Sequence, residues 1–161
     1  INMGAVDISL LKPELVFFDF EAKNDTVFFE KLEKLLLPKG YIRPSWLEAI
    51  KTREINYPTG LQFDDIAIAI PHVEPEHIAK PYISIIKTKK PIPFKPMANM
   101  VDHPVETQLI INLGLVSHDE DQVIVLQAMM KIFSDAQAVY EILSQSDGDG
   151  MVRCFKKYIN A

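Results

Sequence analysis

Residues 66–72 read Ile-Ala-Ile-Ala-Ile-Pro-His, and this stretch decides the fold. Its first five residues are all apolar and alternate large with small, so neither face of the segment is polar. This pattern is typical of a short strand that is buried on both sides, in a sheet covered by helices. Pro71 ends the strand, because proline has no N–H for the ladder and confines the preceding residue to extended geometry. His72 is therefore the first titratable side chain after the strand.

The position of His72 makes it a candidate for chemistry. In open α/β sheets, ligands and reactions collect just outside the carboxyl ends of strands. A neutral imidazole is a good nucleophile near pH 7, because its unperturbed pKa is about 6.5 and one ring nitrogen keeps a lone pair. The other interpretation is a hydrogen-bonded histidine without a chemical role, and position alone leaves both interpretations open.

Strands and helices mingle along the rest of the chain. This order favours an α/β three-layer sandwich, in which one mixed β-sheet has helices on both faces. No repeat, low-complexity tract or linker interrupts the pattern, so we expect residues 1–161 to form a single domain. The predicted strands are Glu14–Phe20, 66–70, Tyr82–Thr88 and Thr107–Val116, and the predicted helices run from Asn24 or Asp25 to about Leu37, from Ser45 to about Glu54, over Gln122–Phe133 and Ala136–Leu143, and after a break at Gly148-Asp149-Gly150.

Four local signals give more specific predictions. Ser45 is expected to cap the second helix with its side-chain oxygen. Residues 58–60, Pro-Thr-Gly, are expected to form a turn, in which Gly60 can take a positive φ without penalty. The three prolines within residues 91–96 predict a long, stiff surface connection. Gly114 predicts that another group packs closely against the last strand.

Composition and charge exclude several classes of function. The chain has 161 residues, a formal net charge of −5 and no cluster of Lys or Arg, so we expect no nucleic-acid binding. No apolar run approaches the roughly 20 residues needed to cross a bilayer, so we expect no membrane insertion. The single cysteine, Cys154, excludes an internal disulfide and fits a reducing compartment, which predicts a cytoplasmic location. No Walker A loop or dinucleotide fingerprint is present, so neither ATP nor NAD is implied.

Residues 53–82 resemble the central signature of a known family. The matching segments are Arg53-Glu54, Pro58-Thr59-Gly60-Leu61, residues 68–72 and Glu76-His77. This signature is similar to that of the sugar-specific EIIA proteins of the bacterial phosphoenolpyruvate-dependent phosphotransferase system (PTS), in the fructose/mannitol superfamily. Looser similarity extends from Leu15 to about Ile159. The Pro-Thr-Gly-Leu and Glu-Pro-Glu-His segments look like the sugar-transport branches rather than the nitrogen-regulatory branch.

The resemblance implies a phosphocarrier. His72 would accept a phosphoryl group from the phosphocarrier protein HPr and donate it to a cysteine of a cognate EIIB, which works with a membrane EIIC. No cofactor is implied, since His72 itself would carry the phosphoryl group. Arg53 would stabilise that group, because its planar fork matches two phosphate oxygens and keeps its charge; a solvated arginine at a helix end is the alternative. Thr59 and Gly60 are candidate binding residues, although the turn alone also explains them.

One position departs from the family pattern. Many fructose- and mannitol-type members carry a second histidine at the start of the helix after the third strand, whereas this chain has Gln122. Glutamine can donate or accept a hydrogen bond, but it cannot become a cation. Glutamine here, together with the Pro-Thr-Gly-Leu segment, looks like the galactitol-specific branch. Gln122 is therefore a candidate binding residue, and galactitol is the suggested sugar.

Other functions remain open. A regulatory EIIA-like module would use the same phosphorylation to control a partner protein. A metal-dependent hydrolase would need His72 and His77 as ligands, but His-x4-His without further ligands is a weak metal signal, and no metal is expected. We interpret His77 as structural or surface, Cys154 as packing, and His103 and His118 as solvated. His72 is expected in a shallow cleft bordered by apolar side chains, where a macromolecule can reach it.

Overall fold

The structure, a computed structural model, describes residues 6–117 and 119–161, and of Asp119 and Glu120 it describes the backbone alone. The prediction for His118 therefore lies outside the described residues. The described ranges contain five strands and five α-helices, which are β1 (Leu11–Phe20), α1 (Asp25–Leu36), α2 (Trp46–Asn56), β2 (Gly60–Gln62), β3 (Ala67–Ala69), β4 (Tyr82–Phe94), β5 (Val105–Gly114), α3 (Asp119–Phe133), α4 (Ala136–Leu143) and α5 (Gly148–Ile159).

The strands form one mixed sheet in the order β1-β4-β5-β3-β2. Two pairs, β1 with β4 and β3 with β5, are parallel, whereas β4 with β5 and β2 with β3 are antiparallel. In the β3–β5 pair, Ile68 lies opposite Leu109. Because these two strands are parallel, their carboxyl ends meet at one edge of the sheet. There His72 forms an isolated bridge with Leu113.

Helices cover both faces of the sheet. The helices α1 and α2 pack on one face, and α3, α4 and α5 pack on the other. In β3, Ile68 packs in the core beneath α3, α4 and α5, whereas Ala69 packs in the core beneath α1 and α2. The strand is therefore buried on both sides, as its alternation of large and small residues predicts. Burial of such side chains is the main favourable term that holds the layers together. The prediction of a three-layer α/β sandwich is confirmed.

The helix α1 illustrates how the sequence sets an element. The side chain of Asn24 accepts a hydrogen bond from the Val27 backbone N–H and so caps the first turn. Phe28, Leu32 and Leu36 then recur every four residues and form one buried stripe. The prediction of this helix is confirmed to within one residue at its end.

The strand β2 and the conformation of Gly60 differ from the prediction. Residues 58–60 do not end in a glycine with positive φ; among the described glycines only Gly40 has one. Gly60 instead begins β2 and pairs with Ala69 of β3. A Cβ at residue 60 would lie 2.6 Å from the Lys95 carbonyl oxygen, so glycine is required here by the close approach of two backbones.

The strand β4 also differs, because it continues to Phe94 through Pro91 and Pro93. The prediction of a surface connection was wrong for these residues. The pairing of β1 with β4 ends at Thr88, so beyond that residue β4 is an edge strand on this side. An edge strand tolerates proline, because an N–H on its open side has no ladder partner to lose.

Three helix starts need correction as well. Ser45 makes no side-chain cap to α2 and instead hydrogen-bonds the ring of His77. The helix α3 begins at Asp119 rather than Gln122. The segment 148–150 does not precede the last helix but forms its first turn. Asp147 caps α5, and its side chain accepts a hydrogen bond from the Gly150 N–H. The prediction for Gly114 is confirmed, since a Cβ there would overlap the Tyr82 ring.

Candidate functional site

His72 is half-buried at the carboxyl end of β3, and its ring is oriented by its own backbone. The ring nitrogen Nδ1 lies 2.8 Å from the carbonyl oxygen of Ile70. A carbonyl oxygen only accepts hydrogen bonds, so Nδ1 must carry the proton. The geometry therefore places the lone pair of the neutral ring on Nε2.

Two surface cavities, of about 620 and 560 Å³, meet at His72. Both are lined by Arg53, Tyr57 and Met97 as well as by the histidine. Apolar side chains border them, among which Tyr57 is 67% exposed and Val123 is 50% exposed. His72 therefore lies where a macromolecule can reach it, beside a surface that is suited to transient contact.

Arg53 projects from the last turn of α2 into both cavities. Its Nη1 donates to Glu74 Oε1 at 2.6 Å, and its Cζ lies 5.4 Å from the centroid of the Tyr57 ring. Its Nε is buried and has no hydrogen-bond partner among the described residues. A guanidinium offers five N–H donors in a fixed fork. Arg53 is thus held beside His72 with donor capacity beyond its contact with Glu74.

Glu74 is ionised in this arrangement. Partial burial by itself would raise the pKa of Glu74, but hydrogen bonds from its own backbone N–H and from Arg53 outweigh burial and lower it. The two residues therefore form an ion pair at neutral pH. Any anion that enters the cavity competes with the Glu74 carboxylate for Arg53.

Gln122 reaches the same site from α3. It lines the 560 Å³ cavity together with His72, and its Nε2 donates to the Val73 carbonyl oxygen at 3.3 Å. The structure thus brings His72, Arg53 and Gln122 around one cavity, although 69 residues separate Arg53 and Gln122 in the sequence.

The backbone just before His72 is held by buried polar side chains that the sequence analysis missed. Asn112 Nδ2 donates to the Pro71 carbonyl oxygen at 3.0 Å, and the Tyr82 hydroxyl donates to Asn112 Oδ1 at 2.6 Å. Gly114 leaves room for the Tyr82 ring. A single asparagine within the apolar run of β5 was the available signal, because a buried amide needs partners.

Glu54 and Thr59 hold the other side of the same backbone. The Thr59 N–H donates to Glu54 Oε2 at 2.6 Å, and the Thr59 hydroxyl lies 3.0 and 3.2 Å from the two carboxyl oxygens. Burial raises the pKa of Glu54 to about 8, an effect that the hydrogen bonds from Thr59 only partly offset. The Ile70 N–H donates in turn to Thr59 Oγ1 at 3.2 Å.

Comparison with known proteins identifies the chain. The family model described as "Phosphoenolpyruvate-dependent sugar phosphotransferase system, EIIA 2" matches residues 9–158. The chain is a member of this EIIA family. Its resemblance in residues 53–82 is confirmed, and the family places it among the components of the sugar phosphotransferase system.

A relative of this EIIA from Escherichia coli (strain K12), the PTS system galactitol-specific EIIA component, is 26% identical over 124 residues, which are 77% of this chain and 80% of the relative. The suggested likeness to the galactitol-specific branch agrees with this finding. Solved structures share the fold at lower identity. The mannitol IIA of Escherichia coli is 17% identical, covers 90% of this chain and 98% of its own, and has a TM-score of 0.68.

Two further structures carry the same fold. A complex of the Escherichia coli mannitol enzyme IIA with its phosphorylated enzyme IIB contains a chain with a TM-score of 0.70 at 16% identity, covering 91% of this EIIA and 97% of that chain. The nitrogen regulatory protein IIA-Ntr of Neisseria meningitidis has a TM-score of 0.67 at 19% identity, covering 92% and 97%.

The remaining predicted residues of this EIIA lie as follows. Thr59 lines the 620 Å³ cavity, whereas Gly60 lines neither cavity at His72. His77 lies outside both cavities, and its Nδ1 is 2.8 Å from the Ser45 hydroxyl, as fits a structural role. Cys154 lies on the buried face of α5, and burial raises the pKa of its thiol. His103 is exposed.

The described residues contain neither a membrane-spanning helix nor a metal-binding cluster. No helix in residues 6–117 and 119–161 is both long and apolar enough to cross a bilayer. Over the same ranges, no group of three or more His, Cys, Asp and Glu side chains is arranged to hold a metal ion.

Proposed function

We propose that His72 of this EIIA accepts a phosphoryl group on Nε2 from phosphorylated HPr and passes it to a cysteine of a cognate EIIB. The hydrogen bond from His72 Nδ1 to the Ile70 carbonyl oxygen is the observation that carries the proposal, because it assigns the lone pair to Nε2. The reach of His72 at the meeting point of two surface cavities supports it further. Membership of the EIIA family and the complex of a mannitol enzyme IIA with its enzyme IIB support these partners.

The transfer needs no proton movement at His72. The Nε2 lone pair attacks phosphorus, the bond from phosphorus to the donor breaks, and its electron pair stays on the donor. The ring then gains positive character, which the Ile70 carbonyl oxygen stabilises through Nδ1–H. In the second transfer a cysteine thiolate of EIIB attacks phosphorus, and the electron pair of the N–P bond returns to Nε2. Catalysis of such steps is mostly positioning and charge stabilisation.

Arg53 supplies the charge stabilisation in this proposal. Its Nε has no partner among the described residues, and its side chain borders both cavities at His72. A bidentate guanidinium–phosphate contact is among the stronger hydrogen-bonded arrangements in proteins. Gln122 is proposed to bind beside His72 as a neutral amide. Thr59 is proposed to support the end of β3, since its hydroxyl contacts Glu54 and Ile70. The role of Gly60 as a binding residue stays a prediction.

Galactitol is the sugar system that we propose for this EIIA, because its curated relatives are galactitol-specific EIIA components. In this scheme residues 1–161 act as one cytoplasmic domain, the phosphoryl group on His72 is the only group carried, and EIIC binds the sugar. A regulatory EIIA-like module is the second candidate, since the fold is shared with a nitrogen regulatory protein. Phosphoryl transfer to an EIIB cysteine separates the two.

The test is incubation with phosphoenolpyruvate, enzyme I and HPr, followed by assay of acid-labile, alkali-stable phosphate on this EIIA. We expect His72→Gln to abolish labelling. His103→Gln is the matched control, because His103 is exposed and lines neither cavity. Labelled protein is then mixed with EIIB of the galactitol and mannitol systems. Uptake of phosphate by His72→Gln would overturn the proposal, and labelling without transfer to any EIIB would favour the regulatory module.

A further inference from the structure

The buried polar side chains of this EIIA are concentrated at the base of His72. Within residues 6–117 and 119–161, five polar or charged residues with described side chains are buried. Two of them, Ser84 and Thr107, donate to backbone carbonyls inside the sheet. Of the other three, Thr59 contacts Ile70 and Asn112 contacts Pro71, the two residues that precede His72. The third, Glu54, accepts hydrogen bonds from Thr59. Burying a carboxyl group is costly unless it is well hydrogen-bonded, so the burial of Glu54 at this place needs an explanation.

The contacts form a continuous series from Glu54 to the imidazole. The Glu54 carboxyl group contacts both the N–H and the hydroxyl of Thr59. Thr59 Oγ1 accepts from the Ile70 N–H at 3.2 Å. The Ile70 carbonyl oxygen accepts from His72 Nδ1 at 2.8 Å. Three hydrogen-bonding steps therefore separate a buried acid in α2 from the ring that carries the chemistry.

Ile70 is the residue on which this series depends. Pro71 has no N–H, so the Ile70 N–H is the last backbone donor before His72. Its other acceptor, the Thr59 carbonyl oxygen, lies at 3.4 Å, which makes Thr59 Oγ1 the shorter contact. Fixing the Ile70 N–H fixes the residue whose carbonyl selects the tautomer of His72. Asn112 fixes the next carbonyl, that of Pro71, from the opposite side.

We propose that Glu54 and Thr59 are positioning residues that hold Ile70 so that its carbonyl oxygen keeps the proton of His72 on Nδ1 and leaves Nε2 as the nucleophile. This role rests on the proposed function of His72, but it is a property of the unphosphorylated protein. Neither residue needs to touch the phosphoryl group. The pair acts through the backbone, and its effect appears first in the tautomer of the ring.

The test compares Thr59→Val with Thr59→Ser and with Thr107→Val. Valine removes the hydroxyl at almost constant volume, and serine restores it. Thr107→Val is the matched control, because Thr107 is an equally buried threonine whose hydroxyl donates to the Ile92 carbonyl, away from His72. The ¹⁵N spectrum of histidine-labelled protein reports the tautomer of His72, and phosphoryl uptake from HPr reports the rate.

We expect Thr59→Val to lower the ratio of Nδ1–H to Nε2–H tautomer about fivefold, the effect of one ordinary hydrogen bond. Phosphoryl uptake should slow by no more than that factor, because its rate follows the fraction of molecules that keep the lone pair on Nε2. Thr59→Ser is expected to restore both, and Thr107→Val is expected to lose stability without changing either. Should Thr59→Val fail to fold, Glu54→Gln decides instead when it is measured above pH 8, where Glu54 is ionised. There the substitution replaces one acceptor oxygen with an amide and should shift the tautomer in the same direction by less.

Unchanged ¹⁵N shifts of His72 in Thr59→Val and Glu54→Gln would overturn the proposal, as would equal changes in Thr107→Val. Failure of the proposed function is a separate result. If the unaltered protein takes up no phosphate on His72, the carrier role fails, while the ¹⁵N spectra still decide whether Glu54 and Thr59 set the tautomer.

Discussion

Replacing Glu74 with glutamine tests whether the Glu74 carboxylate competes with a phosphoryl group for Arg53. The two side chains contact each other at 2.6 Å, and both line the cavity beside His72. They are 26% and 48% exposed, so solvent screens the pair, and pairs of this kind contribute about 1 kcal/mol or less. Their attraction is therefore small enough for an incoming anion to overcome.

The direction of the effect follows from charge. A phosphoryl group adds a charge of roughly −1.5 to −2 at neutral pH. Glu74→Gln replaces a charged acceptor of Arg53 with a weaker neutral one, and it removes a negative charge that faces the same cavity. Both changes favour the phosphorylated form. About 1 kcal/mol corresponds to about a fivefold shift of the phosphorylation equilibrium toward this EIIA. The shift should shrink in high salt, which screens the charges.

The assay is the equilibrium distribution of phosphate between HPr and this EIIA, measured by ³¹P NMR. Glu76→Gln is the matched control, because Glu76 is 76% exposed, carries the same charge and contacts His77 rather than Arg53. We expect the control to shift the equilibrium less than twofold. A shift toward phosphorylated HPr in Glu74→Gln, or equal shifts in the two variants, would refute the reasoning.

Three further predictions concern Arg53, Glu54 and Gly114. Arg53→Gln should slow phosphoryl uptake about a hundredfold in stopped-flow assays with HPr, since it removes the cation beside His72; a loss below threefold would contradict this role. The pKa of Glu54 is raised from 4.5 to about 8, so its contribution to stability is full below pH 4.5 and is lost as the pH rises to about 8. Urea unfolding should show this fall, of the order of a few kcal/mol, and Glu54→Gln should flatten it; an equal slope in both proteins would speak against a buried acid. Gly114→Ala should destabilise the fold by about 1–3 kcal/mol in the same assay, because its Cβ meets the Tyr82 ring, and a change below about 0.5 kcal/mol would contradict that overlap.

The sequence predicted those parts of the fold that rest on local pattern. The alternation in residues 66–70 identified a strand buried on both faces, because two-sided burial is visible in the side chains themselves. The course of β4 through Pro91 was not predictable, since proline is tolerated only where the neighbouring strand has ended, and that depends on the register of β1 with β4. Ser45 likewise makes its hydrogen bond to His77, a partner that only the tertiary fold brings near.

The sequence likewise predicted some residues of the site and missed the roles of others. His72, Arg53 and Gln122 were singled out by motif, and the structure brings them around one cavity. The buried Glu54 was quoted as part of the Arg53-Glu54 motif but was given no role, because its hydrogen bonds to Thr59 depend on how α2 meets β2. The choice of ring nitrogen was equally beyond the sequence, since it depends on the orientation of one carbonyl group.

The most direct test of this account is the ¹⁵N–³¹P spectrum of histidine-labelled protein that has been phosphorylated through HPr. We predict one phosphorus signal, coupled to Nε2 of His72, with the proton still on Nδ1 and hydrogen-bonded to Ile70. Phosphorus on Nδ1, or on any other residue, would contradict the account.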